Sequence, residues 1–375
     1  MRGWSVVILA MSAVAAEPAP AQRALPVSAS QPFVHPHRKL AIPATLNGLP
    51  RDRATGAVAD DLDDAFNFAR PDQSEIVTVY IFRHVAGSVP VWFEQVRRAV
   101  LQRGQVYGRV TAIDAPAAIA PPHQTSASGL MQVFTADAGF RSTGAAILPI
   151  GPDWFVAVRY SSKTSSPEEL RAHLTAAIAA LGWPEGAAEQ LAAVPVAPCA
   201  TPLAFEGQAK PVAATSSGNL MGLLAISMTG DPKSKTRAVT TAPAPFCHDD
   251  GAIVHGYPGM GVYRPGGATD RYMVAINDAG RAFAVGPDTL AATVDQEISA
   301  KAAKNGGPTA PPPAMHWSAT LVDLNASTLY APVDRLPSPD QVVAIVSGPA
   351  VGRVTTWGDK RNISISSGAL ASPKP

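Results

Sequence analysis

The alternation of residue types along the chain first marks a strand over residues 76–83. This segment reads IVTVYIFR, so a face of valine and isoleucine alternates with a face that carries Thr78, Tyr80 and Phe82. Neither face is strongly polar, which indicates a strand inside a sheet with both of its sides covered.

The following segment predicts a helix over residues 90–103. Pro90 fits the first helical turn, where its missing N–H costs little, and apolar residues recur at helical spacing from Trp92 to Val100. Gly104 is a natural stop after the last turn. We expect this helix to pack on the sheet that contains the preceding strand.

The rest of the first half predicts further strands and a second helix. Apolar runs predict strands over residues 130–134, 140–148 and 154–160. Ser166, Pro167 and Glu169 form the capping-box pattern that opens a helix, and an apolar stripe then runs from Leu170 to Leu181.

The second half has the same mixture of elements, without a repeat at the level of residues. Its apolar runs predict strands over residues 220–228, 272–276, 281–285, 317–322, 342–346 and 351–356. Gly280 lies in the turn between the second and third of these strands, as in a hairpin. An amphipathic pattern predicts a helix over residues 289–304.

These elements predict an α+β protein with two small antiparallel sheets, each covered by one or two amphipathic helices. A length of 375 residues fits two domains. The expected division is a signal peptide (1–16), a disordered lead-in (17–38), an α+β domain (39–184), a linker rich in proline and alanine (185–202), a second α+β domain (203–370) and a tail (371–375).

Composition and charge narrow the class of partner. Charged residues make up 16% of the chain, against ~25% in a typical soluble domain, and the formal net charge is +1. The basic residues are scattered, and no basic run interleaved with aromatic residues occurs. Binding to nucleic acid or to an anionic membrane surface is therefore not expected.

The first residues have the pattern of a secretory signal peptide. Arg2 precedes an apolar stretch from Trp4 to Met11, and small residues allow cleavage after Ala16, with Ala21 as the alternative. No later run reaches about 18 apolar residues, so no membrane span is expected after the signal is removed. We expect a periplasmic or secreted protein, with a composition that suggests a bacterial envelope.

Cys199 and Cys247 are the only two cysteines of the chain. In an oxidising compartment such a pair predicts a disulfide, which would join the end of the linker to the second domain. The chain-entropy model associates a loop of this length with about 4 kcal/mol of stability.

Side chains of the metal-ligand type are densest just after Cys247, where His248, Asp250 and His255 are candidate ligands. A metal-dependent or hydrolytic enzyme that uses residues 247–255 is one hypothesis. However, the glycines and the proline of this segment indicate a loop, and the tighter spacing of known zinc motifs is absent. We interpret the segment as a loop beside the disulfide, and no cofactor is expected.

Two other groups of polar residues precede the strand predicted over residues 76–83. His35 and His37 flank Pro36 in the lead-in and could bind a metal, but two histidines in an unstructured segment are interpreted as polar residues without a specific role. Four aspartates fall within residues 60–64, and such a cluster could hold Ca²⁺. The calcium-loop pattern D-x-[DN]-x-[DN]-G with its closing glutamate is missing, so a solvated turn is predicted instead.

The common nucleophile and phosphate motifs G-x-S-x-G, S-x-x-K and the Walker P-loop are absent. This lowers the expectation of an enzyme without excluding one, because catalytic groups often meet only in space. The favoured hypothesis is an exported, non-catalytic binding or envelope-accessory protein, whose partner is another protein or a small molecule.

Overall fold

The computed structural model describes residues 22–212, 216–229, 245–288, 293, 297, 314–359 and 361–367. Its strands are β1 (Arg23–Ala24), β2 (Phe33–Val34), β3 (Ala41–Ile42), β4 (Thr45–Leu46), β5 (Leu49–Gly56), β6 (Asp63–Ala69), β7 (Glu75–Arg83), β8 (Val110–Ala112), β9 (Ala117–Ile119), β10 (Gly129–Ala136), β11 (Ser142–Pro149), β12 (Trp154–Ser162), β13 (Ala197–Pro198), β14 (Phe246–His248), β15 (Met260–Pro265), β16 (Tyr272–Ile276), β17 (Arg281–Pro287), β18 (Trp317–Val322), β19 (Ala326–Tyr330), β20 (Ala350–Thr355) and β21 (Ile363–Ile365). Its helices are α1 (Val89–Leu101), α2 (Gly104–Tyr107), α3 (Pro167–Ala180), α4 (Ser216–Thr229) and α5 (Pro339–Val346).

The first sheet has ten strands, in the order β1-β5-β6-β7-β12-β11-β10-β8, with β4 also paired to β5 and β9 also paired to β10. All of its strand pairs are antiparallel. β7 confirms the strand predicted over residues 76–83 and lies inside the sheet. It pairs with β12 from Glu75 opposite Ser162 to Arg83 opposite Trp154.

The two faces of this sheet are covered by different parts of the chain. The face with Val77 and Val79 packs on α3, whose Leu170 and Leu174 are fully buried. The face with Phe82 packs on α1, and the same buried cluster includes residues of the second half. α1 therefore lies between two sheets, whereas the sequence analysis expected it to cover one.

The second sheet has nine strands in chain order from β13 to β21. Its pairs are antiparallel except for the short parallel contact between β13 and β14. α5 packs on this sheet through the buried Val342, and α4 packs on β19 and β20 through Leu223.

Sheets of ten and nine strands replace the two small, helix-covered sheets of the predicted α+β fold, so that prediction of the fold class is wrong. Strands of two residues such as β1, β4 and β13 are too short to show an alternation. The sequence of β5, LPRDRATG, contains a proline and charges that are more typical of loops.

Two predicted strands are also wrong, because residues 220–228 lie in α4 and residues 342–346 lie in α5. A short apolar run does not distinguish a buried strand from a buried helix by periodicity. The predicted helices over 90–103 and after Ser166 are confirmed as α1 and α3. The hairpin is confirmed as β16 and β17.

Several expectations concern the ends and the connections of the chain. The signal peptide (1–16) and nearly all of the helix predicted over 289–304 lie outside the described residues. Residues 22–38, expected to be disordered, contain β1 and β2. Within the described part of the chain, every helix is too short or too polar to cross a bilayer. That each sheet is a separate domain stays a prediction.

Candidate functional site

A cavity of about 240 Å³ lies where the α1 face of the first sheet meets a turn of the second half. Its floor contains Ala65 of β6 and Ala157 of β12, which are the direct cross-strand neighbours of Tyr80 on β7. Alanine side chains fill little space above a sheet, so a hollow remains on both sides of the tyrosine. Val96 of α1 and Ala279 of the turn line the cavity from the other side.

Strand alternation brings charged residues to the same floor. Residues two apart on a strand point to one face, so Asp63 accompanies Ala65 and Arg159 accompanies Ala157. Arg103, two residues beyond the end of α1, and Asp278 in the turn after β16 complete the charged lining. Two carboxyl groups and two guanidinium groups therefore meet in one hollow.

Asp63 is the carboxyl group of this cavity that has no ion pair and no hydrogen bond among the described residues, since Asp278 is paired with Arg159. The residue is 9% exposed, and no described residue donates a hydrogen bond to its carboxyl group. Burial, with a smaller contribution from the charge of Asp323, raises the pKa of Asp63 to about 6. The positive charge of Arg281 opposes this rise, but Arg281 is itself paired with Asp323 at 3.0 Å.

The charge of Arg159 is compensated by Asp278, although the buried Nε of Arg159 has no hydrogen-bond partner among the described residues. Its guanidinium group pairs with Asp278 and lies over the ring of Tyr80, with 5.5 Å between the guanidinium carbon and the ring centroid. Burial lowers the pKa of Arg159. Arg103 is exposed, and the described residues offer it no ion pair. The free positive charge of the cavity is therefore at its rim.

Gln95 of α1 holds the two sides of the cavity together. Its Nε2 donates to the carbonyl oxygens of Gly259 at 3.0 Å and of Asn277 at 2.6 Å, and its Oε1 accepts from the Tyr263 hydroxyl at 2.9 Å. Asn277 precedes Asp278 in the turn that borders the cavity. These hydrogen bonds therefore fix the turn against α1.

The candidate metal ligands have different partners in the structure. His248 Nδ1 lies 2.7 Å from Asp250 Oδ1, while its Nε2 contacts Arg98 of α1. Burial and the charge of Arg98 lower the pKa of His248. His255 Nδ1 lies 2.7 Å from Asp340 Oδ2 instead. No three histidine, cysteine or acidic side chains in the described ranges are grouped so as to hold a metal ion.

Cys199 and Cys247 form the predicted disulfide. Beside it, Arg264 and Asp249 form an ion pair at 3.2 Å, and both side chains are 1% exposed. The Asp249 carboxylate also accepts hydrogen bonds from the backbone N–H groups of Leu203 at 2.8 Å and of Gly251. A buried charge pair of this kind is stable only when it is fully hydrogen-bonded, which indicates a structural crosslink.

The lead-in histidines meet the aspartate cluster. His37 Nε2 donates to the carbonyl oxygen of Asp60 at 2.7 Å, and His35 Nε2 donates to that of Asp61 at 3.1 Å. His35 is fully buried and hydrogen-bonded, so the interpretation of its segment as unstructured is wrong at this residue. The prediction of a solvated turn is also wrong for Asp63, because this residue begins β6 and lines the cavity.

Sequence analysis gives no role to Arg159, although a signal for it exists. Arg159 is the one charged residue in the apolar run from Trp154 to Tyr160. An arginine on the covered face of an inner strand requires a counter-charge or a ligand, because burying an unpaired charge is costly. Its partner Asp278 is 119 residues away, and no local pattern relates the two positions.

Comparison of the chain with protein-family models, with curated proteins and with solved structures gives no match in any of the three. Function therefore has to follow from the geometry of the cavity and the residues around it.

Proposed function

We propose that the protein is an exported, non-catalytic binding protein that holds a small polar molecule in the cavity between its first sheet and the turn after β16. The observation that carries this proposal is the buried carboxyl group of Asp63, which faces the cavity without a hydrogen-bond donor from the described residues. Concave sites with a few convergent polar groups and a shifted pKa are the usual places where ligands bind.

A binding role accounts for the charges of the cavity better than a purely structural role does. A structural ion pair keeps its members together, as Arg264 and Asp249 do beside the disulfide. Asp63 is instead desolvated without a partner among the described residues, which costs free energy in the empty protein. A bound donor offsets this cost.

Export is the second part of the proposal. The signal-like pattern of residues 1–16 supports it, and so does the disulfide, because such bonds persist in oxidising compartments. A periplasmic or secreted location follows from this proposal. Cell fractionation should find the protein outside the cytosol, shortened by its first 16 to 21 residues.

Thermal-shift measurements with amino acids, small carboxylic acids, monosaccharides and polyamines test the binding function. We expect at least one compound to raise the melting temperature of the wild-type protein and to be recovered with unchanged mass. Ala65→Phe fills the floor of the cavity and should abolish the shift. Ala118→Phe, on the exposed β9 at the other end of the sheet, is the matched control and should keep it.

Two outcomes would contradict the proposal. If no compound stabilises the protein, or if Ala65→Phe binds as well as Ala118→Phe, the cavity is not a binding site. If the compound is recovered with an altered mass, the protein is an enzyme and the non-catalytic assignment fails.

A further inference from the structure

We infer that the ligand is a small zwitterion, such as a free amino acid or a short peptide, whose ammonium group pairs with Asp63 and whose carboxylate pairs with Arg103. This inference rests on the proposed function of the cavity and specifies the class of molecule that it takes.

The need for an ammonium group follows from how the nearby positive charges are used. Arg159 is paired with Asp278, and Arg281 is paired with Asp323. The remaining guanidinium group of the cavity, that of Arg103, lies at the exposed rim and forms no ion pair with Asp63, so none of the cavity's described cations is paired with this carboxyl group. A hydroxyl group could donate a hydrogen bond to it, but only a positive charge would also neutralise its buried carboxylate.

The ammonium group has one place to bind. The ring of Tyr80 would attract a cation, but the guanidinium group of Arg159 already covers it. Asp63 lies two residues along β6 from Ala65, on the same face of the strand, so the space above the alanine is adjacent to the carboxyl group.

The need for a carboxylate follows from the charge balance of the cavity. Asp63 and Asp278 together oppose Arg159 and Arg103, so the lining as a whole is neutral. A ligand with a single charge would leave one lining group uncompensated. Arg103 at the exposed rim has no ion pair among the described residues, and arginine binds carboxylates in a planar, bidentate manner.

The size and the apolar part of the cavity also fit this class. A water molecule takes about 30 Å³ in the liquid, so a cavity of about 240 Å³ holds roughly as much as eight waters. Phe82 and Val96 line it and offer apolar contact to a small side chain.

Binding of an ammonium group requires the ionised form of Asp63, whereas burial favours the protonated form. Affinity should therefore rise as the pH rises through about 6, the pKa of Asp63 in the empty protein. Arg281 and Asp323 act on the pKa of Asp63 from beside the cavity, and Arg159, Asp278, Tyr80 and Arg103 are the other titratable groups that line the cavity.

Calorimetric titration with the twenty standard amino acids and with alanyl-alanine tests the inference. For the compound that binds best, the N-acetyl derivative lacks the ammonium group and the amide lacks the carboxylate. Each derivative should bind the wild-type protein at least tenfold more weakly.

The variants assign each end of the ligand. Asp63→Asn should bind the parent compound at least tenfold more weakly and should no longer discriminate against the N-acetyl derivative. Arg103→Gln should also bind the parent compound at least tenfold more weakly and should no longer discriminate against the amide. Glu168→Gln on α3 and Arg109→Gln after α2 change exposed charges away from the cavity and should bind like the wild type.

The outcomes separate this inference from the function on which it rests. Suppose that a compound binds to the wild type and not to Ala65→Phe, but that both of its derivatives bind as tightly as the parent compound. The inference of a zwitterionic ligand is then wrong, and the proposed binding function stands. If no compound binds, both fail.

The chain's own N-terminus is a second source of an ammonium group, because Gln22 lines the cavity and would be the first residue after cleavage at Ala21. Proteins that start at Glu17 and at Gln22 should bind the ligand equally. If only the protein that starts at Glu17 binds the ligand, the ammonium group of Gln22 occupies the site in the shorter protein, and a free ligand is ruled out for a mature protein that starts at Gln22.

Discussion

Among single residues, His35 and Asp64 form a buried contact of two titratable groups. Both are fully buried, and 3.8 Å separates His35 Nε2 from Asp64 Oδ2, which is too long for a hydrogen bond. Burial lowers the pKa of His35 to about 4. Burial, with the charges of Asp61 and Asp63, raises the pKa of Asp64 to about 7. Between these values both groups are largely uncharged, so the contact is not an ion pair there.

Asp64→Asn should stabilise the protein at alkaline pH. The folded-state pKa of Asp64 lies above the unfolded value, so stability is lost as the pH rises from about 4 through about 7. At ~1.4 kcal/mol per pKa unit, the variant should gain up to about 4 kcal/mol at pH 8 and nothing at pH 4. Urea unfolding at pH 4, 6 and 8 measures this difference.

Glu168→Gln removes an exposed carboxylate and serves as the control for that experiment, with the same stability as the wild type at each pH. His35 has the opposite dependence, because its lowered pKa makes the folded state less stable as the pH falls from about 6.5 toward 4. A loss of stability in Asp64→Asn at pH 8 would show that the carboxylate is paired and not merely buried.

The aspartate cluster of residues 60–64 shows how much of the position of a single residue can be predicted from the sequence. Asp63 and Asp64 are adjacent and chemically identical, yet one lines the cavity and the other faces the opposite core. Asp64 shares its strand face with Phe66 and Phe68, which are fully buried. This alternation could be read from the sequence once β6 is recognised. The sequence does not predict β6 itself, because the four nearby carboxylates favour a turn over a strand.

Among the helices, the start of one was predictable and the start of another was overlooked. Ser166 and Glu169 form the capping box that the sequence analysis identifies for α3. Ser338 and Gln341 form the same structure at the start of α5. The capping pattern Ser-Pro-x-Gln precedes a run of only five apolar residues, which is predicted above as a strand. For so short a run, the capping pattern is better evidence of a helix than the apolar run is of a strand.

Reduction of the disulfide should destabilise the contact between β13 and β14. These strands pair over two positions only, so the bond between Cys199 and Cys247 carries much of the connection. The sequence separation of 48 residues corresponds to a loss of about 4 kcal/mol in the chain-entropy model. Thermal melts with and without reductant measure the loss.

The variant Cys199→Ala/Cys247→Ala is the control for the reductant. It should melt at the temperature of the reduced wild type and should not respond to reductant. Thiol labelling of the exported, unreduced protein should find no reactive cysteine. A labelled thiol there would contradict both the disulfide and its contribution to stability.

In the whole molecule, the two halves are in direct contact through buried side chains and hydrogen bonds. α1 lies between the sheets, and Arg83 of β7 donates to the carbonyl oxygens of Leu324 and Thr356 in the second half. The sequence could indicate neither contact, because no local pattern relates the partners. Arg83 lies 241 and 273 residues from its acceptors, and Gln95 of α1 lies 164 to 182 residues from its hydrogen-bond partners. The cavity belongs to this same junction, which is why the sequence did not predict it.

Unfolding should therefore be a single cooperative transition that depends on Gln95. The variant Gln95→Leu keeps the size of the side chain but leaves the carbonyl oxygen of Asn277 and the Tyr263 hydroxyl without their partner, whereas the carbonyl oxygen of Gly259 still accepts from the Asn277 N–H. Buried groups that lose a partner cost about 1–3 kcal/mol each. We expect a loss of about 3 kcal/mol in the free energy of unfolding and a separation of the melting transitions of the two halves in scanning calorimetry.

The control variant is Gln105→Leu on the exposed side of α2, which should melt like the wild type. Equal melting curves for the two variants would mean that the hydrogen bonds of Gln95 do not hold the two halves together.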